Sequence, residues 1–262
     1  TMKLILTSAT LDEQILQDFF SPISKNIPVL EIPWRTFPVE KIFEKEKKFF
    51  MSIWEQAEKW KNILIFVEWK REIEETILVL NRMLPSNIIV PLHAEIPIED
   101  QKAILNKKYK QPVIIVSTNI AEESLTIDYI DTVVDRWNHK VSYCNHNGIE
   151  ELITEPISKA NAKQRAWRAG RTHEGIYIRT NNENFENLPE YWSTQIERTL
   201  LEREILIWVA KGFDIKKQVL NAKKRWKQVF IHEPNIRLLH IAYENLKMLW
   251  AIEKKNWNKK WI

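Results

Sequence analysis

The chain has 262 residues, 44% hydrophobic and 28% charged, with a formal net charge of +4, which is enough length to bury one large core or two smaller ones. Its longest apolar runs, Ile63–Val67 and Val113–Val116, are too short to cross a bilayer, and Thr1–Thr10 holds no apolar signal segment. The single cysteine, Cys144, rules out an intrachain disulfide and points to a reducing, cytoplasmic setting, while the mild positive excess permits a nucleic-acid partner without requiring one.

In chain order, Met2–Thr7 is an apolar run ending in Ser8-Ala9-Thr10, and Leu11–Phe20 reads as a helix. Asn26–Ile32 is extended and proline-flanked. Trp34–Val39 reads as a linker, because Pro33 and Pro38 resist helix. Helices and strands then alternate: helix over Lys45–Lys59, strand over Asn62–Val67, helix over Lys70–Met83, strand over Asn87–Leu92, helix over Ile98–Lys108 and strand over Pro112–Ser117. That order predicts an α/β fold, a parallel sheet with helices on both faces, and the fully apolar strands fit burial on both sides. Shorter strands follow at Thr132–Asp135, Lys140–Tyr143 and Glu151–Thr154, the last two suited to a hairpin. A helix over Ser158–Ala169 and a closing strand over Gly175–Arg179 complete the pattern. Beyond Asn181 the pattern changes to amphipathic helices over Gln195–Ala210 and Asn235–Leu249, which places a domain boundary near Thr180.

Ligands of open parallel sheets bind beyond the carboxyl ends of the strands. Ser8-Ala9-Thr10, Glu68-Trp69-Lys70 and Thr118-Asn119 fall at such ends, although helix capping accounts for each taken singly. On the predicted helix over Ser158–Arg171, Gln164, Arg168 and Arg171 recur at i, i+4 and i+7 and so share a face. A glutamine can orient an attacking water and an arginine can neutralise a transferring phosphoryl group. A basic, solvent-facing helix surface has the same spacing. Cys144 lies near His139 and His146, but no four-ligand cluster accompanies them, so no metal site is expected.

Ser158–Thr172, with its Gln164-Arg165-Ala166-Trp167-Arg168-Ala169-Gly170-Arg171 core, resembles the QRxGRxGR segment of DEAH-box helicases. Ser117–Asp128 resembles their motif V, Ser8-Ala9-Thr10 with Leu11-Asp12 their motif III, Ile63–Lys70 their motif IV, and Ile32–Glu40 the linker between their two RecA-like lobes. The likeness implies three units: residues 1–36 as the end of a first lobe and linker, 37–180 as a second RecA-like lobe, and 181–262 as a mostly helical, winged-helix-like domain. It also implies roles. Gln164, Arg168 and Arg171 would face the γ-phosphate of ATP, with Asp128 at the ribose side. Thr118, Asn119 and Lys70 would contact RNA through its backbone, and Ser8, Thr10, Ser124 and Thr126 would couple the two sites. ATP and Mg2+ are the expected cofactors, and single-stranded RNA the expected partner, ahead of DNA. Glu123 departs from the family, which has threonine there. The chain contains neither GxxxxGK followed by Ser or Thr nor an Asp-Glu-x-His after a strand, so it is expected not to hydrolyse ATP by itself. The alternative is a non-catalytic nucleic-acid-binding or regulatory module that kept the fold.

The composition holds one anomaly: 4 glycines against 12 tryptophans, where ~7% glycine is usual. Trp34, Trp60, Trp69, Trp137, Trp167, Trp250, Trp257 and Trp261 stand at turn-like points or where the family has glycine. Together the two residue types come to about 6% of the chain, close to the usual glycine share. The pattern suggests a gene in which UGA encodes glycine. If the tryptophans are genuine, Trp167 is expected to crowd the ATP cleft, which favours the binding-module alternative.

Overall fold

The computed structural model describes residues 4–7, 13–24, 27–30, 37–106, 109–123, 127–181, 185–213, 230–249 and 251–252. Six strands form one parallel sheet: β1 (Val39–Glu44), β2 (Ile63–Phe66), β3 (Ile88–Leu92), β4 (Val113–Ser117), β5 (Thr132–Asp135) and β8 (Gly175–Thr180), in the order β1-β8-β5-β2-β4-β3. Between β5 and β8 the chain makes an antiparallel hairpin, β6 (Asn138–Cys144) with β7 (Glu150–Pro156).

Side chains alternate across a strand, so the sheet builds two cores. Ile63, Ile65, Ile114, Val116 and Val134 pack on one face against Phe49, Ile53 and Ala57 of α2 (Phe49–Glu58) and against Ile73 and Leu80 of α3 (Lys70–Met83). Leu64, Phe66, Val113, Ile115, Val133 and Tyr177 pack on the other, against Ala121 of α5 (Ile120–Glu123) and Ala166 of α6 (Lys159–Ala166). Helices thus cover both faces of the sheet, the expected α/β arrangement. Among the described residues the other α-helices are α1 (Glu13–Phe20), α4 (Ile98–Asn106), α7 (Gln195–Arg198), α8 (Glu202–Ala210) and α9 (Ile236–Met248). The last two share a separate apolar cluster of Leu201, Ile205, Leu239, Ala242, Tyr243 and Leu246.

Three sequence expectations are corrected. Val39–Glu44, which lies between the end of the expected linker Trp34–Val39 and the expected helix from Lys45, is a strand pairing β8 from Val39↔Gly175 to Glu44↔Thr180. It is the sheet's edge and carries Glu40, Lys41 and Glu44, so it lacks the apolar run that marks the inner strands. The helix expected over Gln195–Ala210 is two, because Thr199 is extended (φ −119°, ψ 162°) and Leu201 opens α8. The helix expected to reach Ala169 stops at Ala166. There the turn tightens, with Arg168 and Ala169 donating to the carbonyls of Arg165 and Ala166. The carbonyl of Gly170 is taken by Phe37 N–H at 2.9 Å, and a Cβ on Gly170 would lie 2.7 Å from the Phe37 carbonyl oxygen, a contact only glycine avoids.

Candidate nucleotide and nucleic-acid edges

Because α6 ends at Ala166, Gln164, Arg168 and Arg171 do not share a helix face. Gln164 is half-buried on α6. Arg168 lies in the following turn, 7% exposed, and its guanidinium donates to the carbonyl of Glu122. Arg171 is on the loop beyond, with its Nη1 3.6 Å from Asp128 Oδ1. The Asp128 carbonyl accepts from Thr172 Oγ1 at 2.7 Å, so the two segments are tied together near their charged side chains. Asp128 precedes β5, Gly170 meets the start of β1, and Gly175 begins β8. This group therefore sits at the amino edge of the sheet.

Thr118 and Asn119 sit at the opposite edge. They follow β4, with Thr118 half-buried, Asn119 exposed, and their carbonyls accepting from Ala121 and Glu122 to open α5. Lys70 opens α3 just after β2 and pairs with Glu95, whose hydrogen bond raises the lysine pKa. Beside it Lys140 Nζ stands 3.5 Å from the centre of the Trp69 ring. Of the three polar segments expected at the carboxyl edge, Glu68-Trp69-Lys70 and Thr118-Asn119 follow β2 and β4 there, and Ser8-Ala9-Thr10 lies outside the described residues, as do Ser124 and Thr126.

A buried charge network ties α6, which leads to Arg168 and Arg171, to residues at and beyond the carboxyl ends of β2, β4 and β5, and sequence reasoning missed its centre. Arg165 is 0% exposed. Its Nε donates to Glu122 Oε2 at 2.9 Å and its Nη1 to Asp135 Oδ1 at 2.7 Å, while the Phe66 ring lies 4.6 Å from the guanidinium carbon. Tyr177 donates to Asp135 Oδ2 at 2.8 Å, and Asn161 donates to Glu122. Burial opposes charge on Arg165, but Asp135 and Glu122 outweigh it and raise its pKa. Burial, then Asp135, pushes the Tyr177 phenol far up, so it remains a donor. Glu122 ends the stretch after Thr118-Asn119, and Arg165 precedes Arg168 and Arg171, so this bridge fixes the two candidate segments against each other. The available signal was the Gln164-Arg165 pair that opens the recognised motif, together with the acid closing Thr132–Asp135.

A second buried group links the hairpin to α7. His139 Nε2 lies 3.4 Å from Glu155 Oε1, and Arg198 Nη1 is 3.7 Å from the same oxygen. Burial first, then Arg165 and Arg198, lowers the His139 pKa to about 4, so the imidazole is neutral at pH 7 and its contact with Glu155 is no ion pair. Among the described residues no three His, Cys, Asp or Glu side chains are grouped to hold a metal ion, and no helix is long and apolar enough to cross a membrane.

The tryptophans divide. Trp167 caps α6 at φ −65°, a conformation open to any residue, with Lys163 Nζ 5.0 Å from its ring centre. Trp69 is extended at φ −157°. Trp60 and Trp137, by contrast, have φ of 58° and 72°, and they are the only non-glycine residues with positive φ among those described. Trp34, Trp250, Trp257 and Trp261 lie outside the described residues.

Residues 44–173 match the family described as helicase conserved C-terminal domain. Over 226 residues the chain is 35% identical to the ATP-dependent RNA helicase HrpA homolog of Haemophilus influenzae, covering 81% of this chain and 17% of that protein. It is 32% identical to the ATP-dependent RNA helicase HrpA of Borreliella burgdorferi, covering 97% of this chain and 31% of that one. The crystal structure of the Escherichia coli DEAH/RHA helicase HrpB superposes with a TM-score of 0.78 at 26% identity, over 95% of this chain and 32% of that chain. The chain thus spans less than a third of the length of these relatives.

Proposed function

From the premise that this chain belongs to the DEAH-box helicases of superfamily 2 and carries their conserved C-terminal helicase domain, we propose that it supplies the second RecA-like lobe of an ATP-dependent RNA helicase. The observation that carries this reading is the separation of Arg171 and Asp128, at the amino edge of the sheet, from Thr118, Asn119 and Lys70 at the carboxyl edge, with the Glu122–Arg165–Asp135 bridge tying α6 to the segment that follows Thr118 and Asn119.

In this reading Arg171 meets the γ-phosphate of ATP held by a first lobe, where a guanidinium stabilises charge as the phosphoryl group transfers. Arg168 reaches the phosphate only after leaving the Glu122 carbonyl, so nucleotide binding pulls directly on the segment that follows Thr118 and Asn119. Gln164 orients the attacking water, and Asp128 lies on the ribose side. Magnesium and the triphosphate are held chiefly by the other lobe, since the chain has no phosphate-binding GxxxxGK loop. Thr118, Asn119 and Lys70 grip single-stranded RNA through its backbone, which gives affinity with little sequence preference. Ser8, Thr10, Ser124 and Thr126 are assigned to coupling. Residues 1–36 belong to the first lobe and linker, 37–180 form the second lobe, and 181–262, built on the α8–α9 cluster, form a winged-helix-like domain in a cytoplasmic protein.

The test is ATP hydrolysis by the complete protein with and without single-stranded RNA, set beside the 262-residue chain alone. Hydrolysis that RNA stimulates in the complete protein, and none in the chain alone, is the expected result. Stimulation by DNA and not RNA would replace the substrate. A complete protein that binds RNA but never hydrolyses ATP would establish the non-catalytic module instead.

A further inference from the structure

We infer that residues 60 and 137 are glycine in the natural protein, at positions the gene writes as UGA and the standard code reads as tryptophan. The first observation is a pair of helix ends. After α8, Gly212 has φ of 76°, its N–H donates to the Val209 carbonyl at 2.9 Å and the Phe213 N–H reaches back to the Trp208 carbonyl at 2.9 Å. After α2, Trp60 has φ of 58°, its N–H donates to the Ala57 carbonyl at 2.9 Å and the Lys61 N–H reaches back to the Gln56 carbonyl at 3.2 Å. These are the same Schellman termination, hydrogen bond for hydrogen bond, and its left-handed residue is usually glycine because a Cβ is strained there. The Trp60 side chain offers nothing in return, since it is 72% exposed.

The second observation is at the end of β5. With φ of 72°, residue 137 turns its N–H onto Asp135 Oδ1 at 2.7 Å, the carboxylate that also holds Arg165. The carbonyl of residue 137 accepts from the Ile157 N–H at 2.9 Å, so backbone hydrogen bonds on both sides of the residue hold this conformation. The indole is buried at 0% exposure, and its Nε1 has no hydrogen-bond partner. A left-handed bulky residue and an orphaned buried donor each carry a penalty, and glycine removes both. Trp69 and Trp167, at φ of −157° and −65°, place no such demand on the backbone, so the inference is confined to positions where geometry requires it.

Two measurements test this, and neither depends on the proposed activity. Peptides covering residues 60 and 137 of the protein purified from its own organism are read by mass spectrometry beside the gene sequence. Glycine at both with UGA codons is expected; tryptophan at either, or a UGG codon, overturns the inference. Trp137→Gly and Trp137→Ala are then compared in the complete protein. Both remove the indole, so only the left-handed backbone distinguishes them. The glycine form should fold with an equilibrium constant about tenfold larger, the cost of a left-handed residue with a Cβ. Equal stability would overturn the argument at 137.

Discussion

Arg165 and Arg171 belong to one basic segment, and the fold gives them opposite circumstances. Arg165 is fully buried, bonded to two buried carboxylates and set over Phe66. Arg171 keeps 29% of its side chain exposed and faces one carboxylate, Asp128, that is 66% exposed. The same residue type thus serves two ends. An arginine whose Nε and Nη1 are taken by buried carboxylates orders the site, and one that meets a single, solvated partner remains available to a ligand.

Four experiments sharpen or break that contrast. The largest effect is expected from Arg171→Ala in the complete protein, where RNA-stimulated ATP hydrolysis should fall by ~10³–10⁵ while the melting temperature barely moves, since a part-exposed ion pair contributes only ~0–1 kcal/mol. A loss of both together would mean that Arg171 is structural. Arg165→Ala should do the reverse and cost about 3–5 kcal/mol in stability, because it strands two buried carboxylates. A denaturation midpoint unchanged by Arg165→Ala would show that the bridge is not formed.

Acid comes next. The His139 pKa is lowered to about 4, against 6.5 in an unfolded chain. Above pH 6.5 both states hold the ring neutral. As the pH falls from 6.5 toward 4 the unfolded chain takes up the proton and the folded one does not, so stability declines by about 3 kcal/mol, at ~1.4 kcal/mol per pH unit, and levels off below 4. Urea titrations across this range should show the decline in the parent and its loss in His139→Gln. The smallest effect belongs to the two matched helix ends. Trp60→Gly should stabilise by ~1–2 kcal/mol and Gly212→Ala destabilise by a similar amount, although a Cβ at 212 would meet nothing within 4 Å. If Gly212→Ala were neutral, backbone handedness would not govern these ends.

Much of the α/β pattern could be read locally. β2 and β4 announce themselves as unbroken apolar runs because both faces of each are covered. β1 did not, because an edge strand with a burial pattern of alternating half-exposed positions looks like a charged linker. The candidate residues were legible through the motif they form, and the suspicion about tryptophan through glycine scarcity. Their arrangement was not, since the turn after α6 is held at Gly170 by Phe37, a segment far back in the chain.

The sequence by itself determined the element types through most of residues 45–180, the family the chain belongs to and the composition anomaly, because hydrophobic period, motif order and residue counts are properties of neighbouring residues. The tertiary structure alone decided that Arg171 and Thr118 stand at opposite edges, that Arg165 is buried between Glu122 and Asp135, and that residues 60 and 137 are left-handed. The physical reason is the same in each case. A charge is buried only when partners distant in sequence desolvate and pair with it, and Arg165 draws on partners 43 and 30 positions away. Backbone handedness is likewise fixed by where the next element must go, and at 137 the carbonyl turns to accept from the Ile157 N–H.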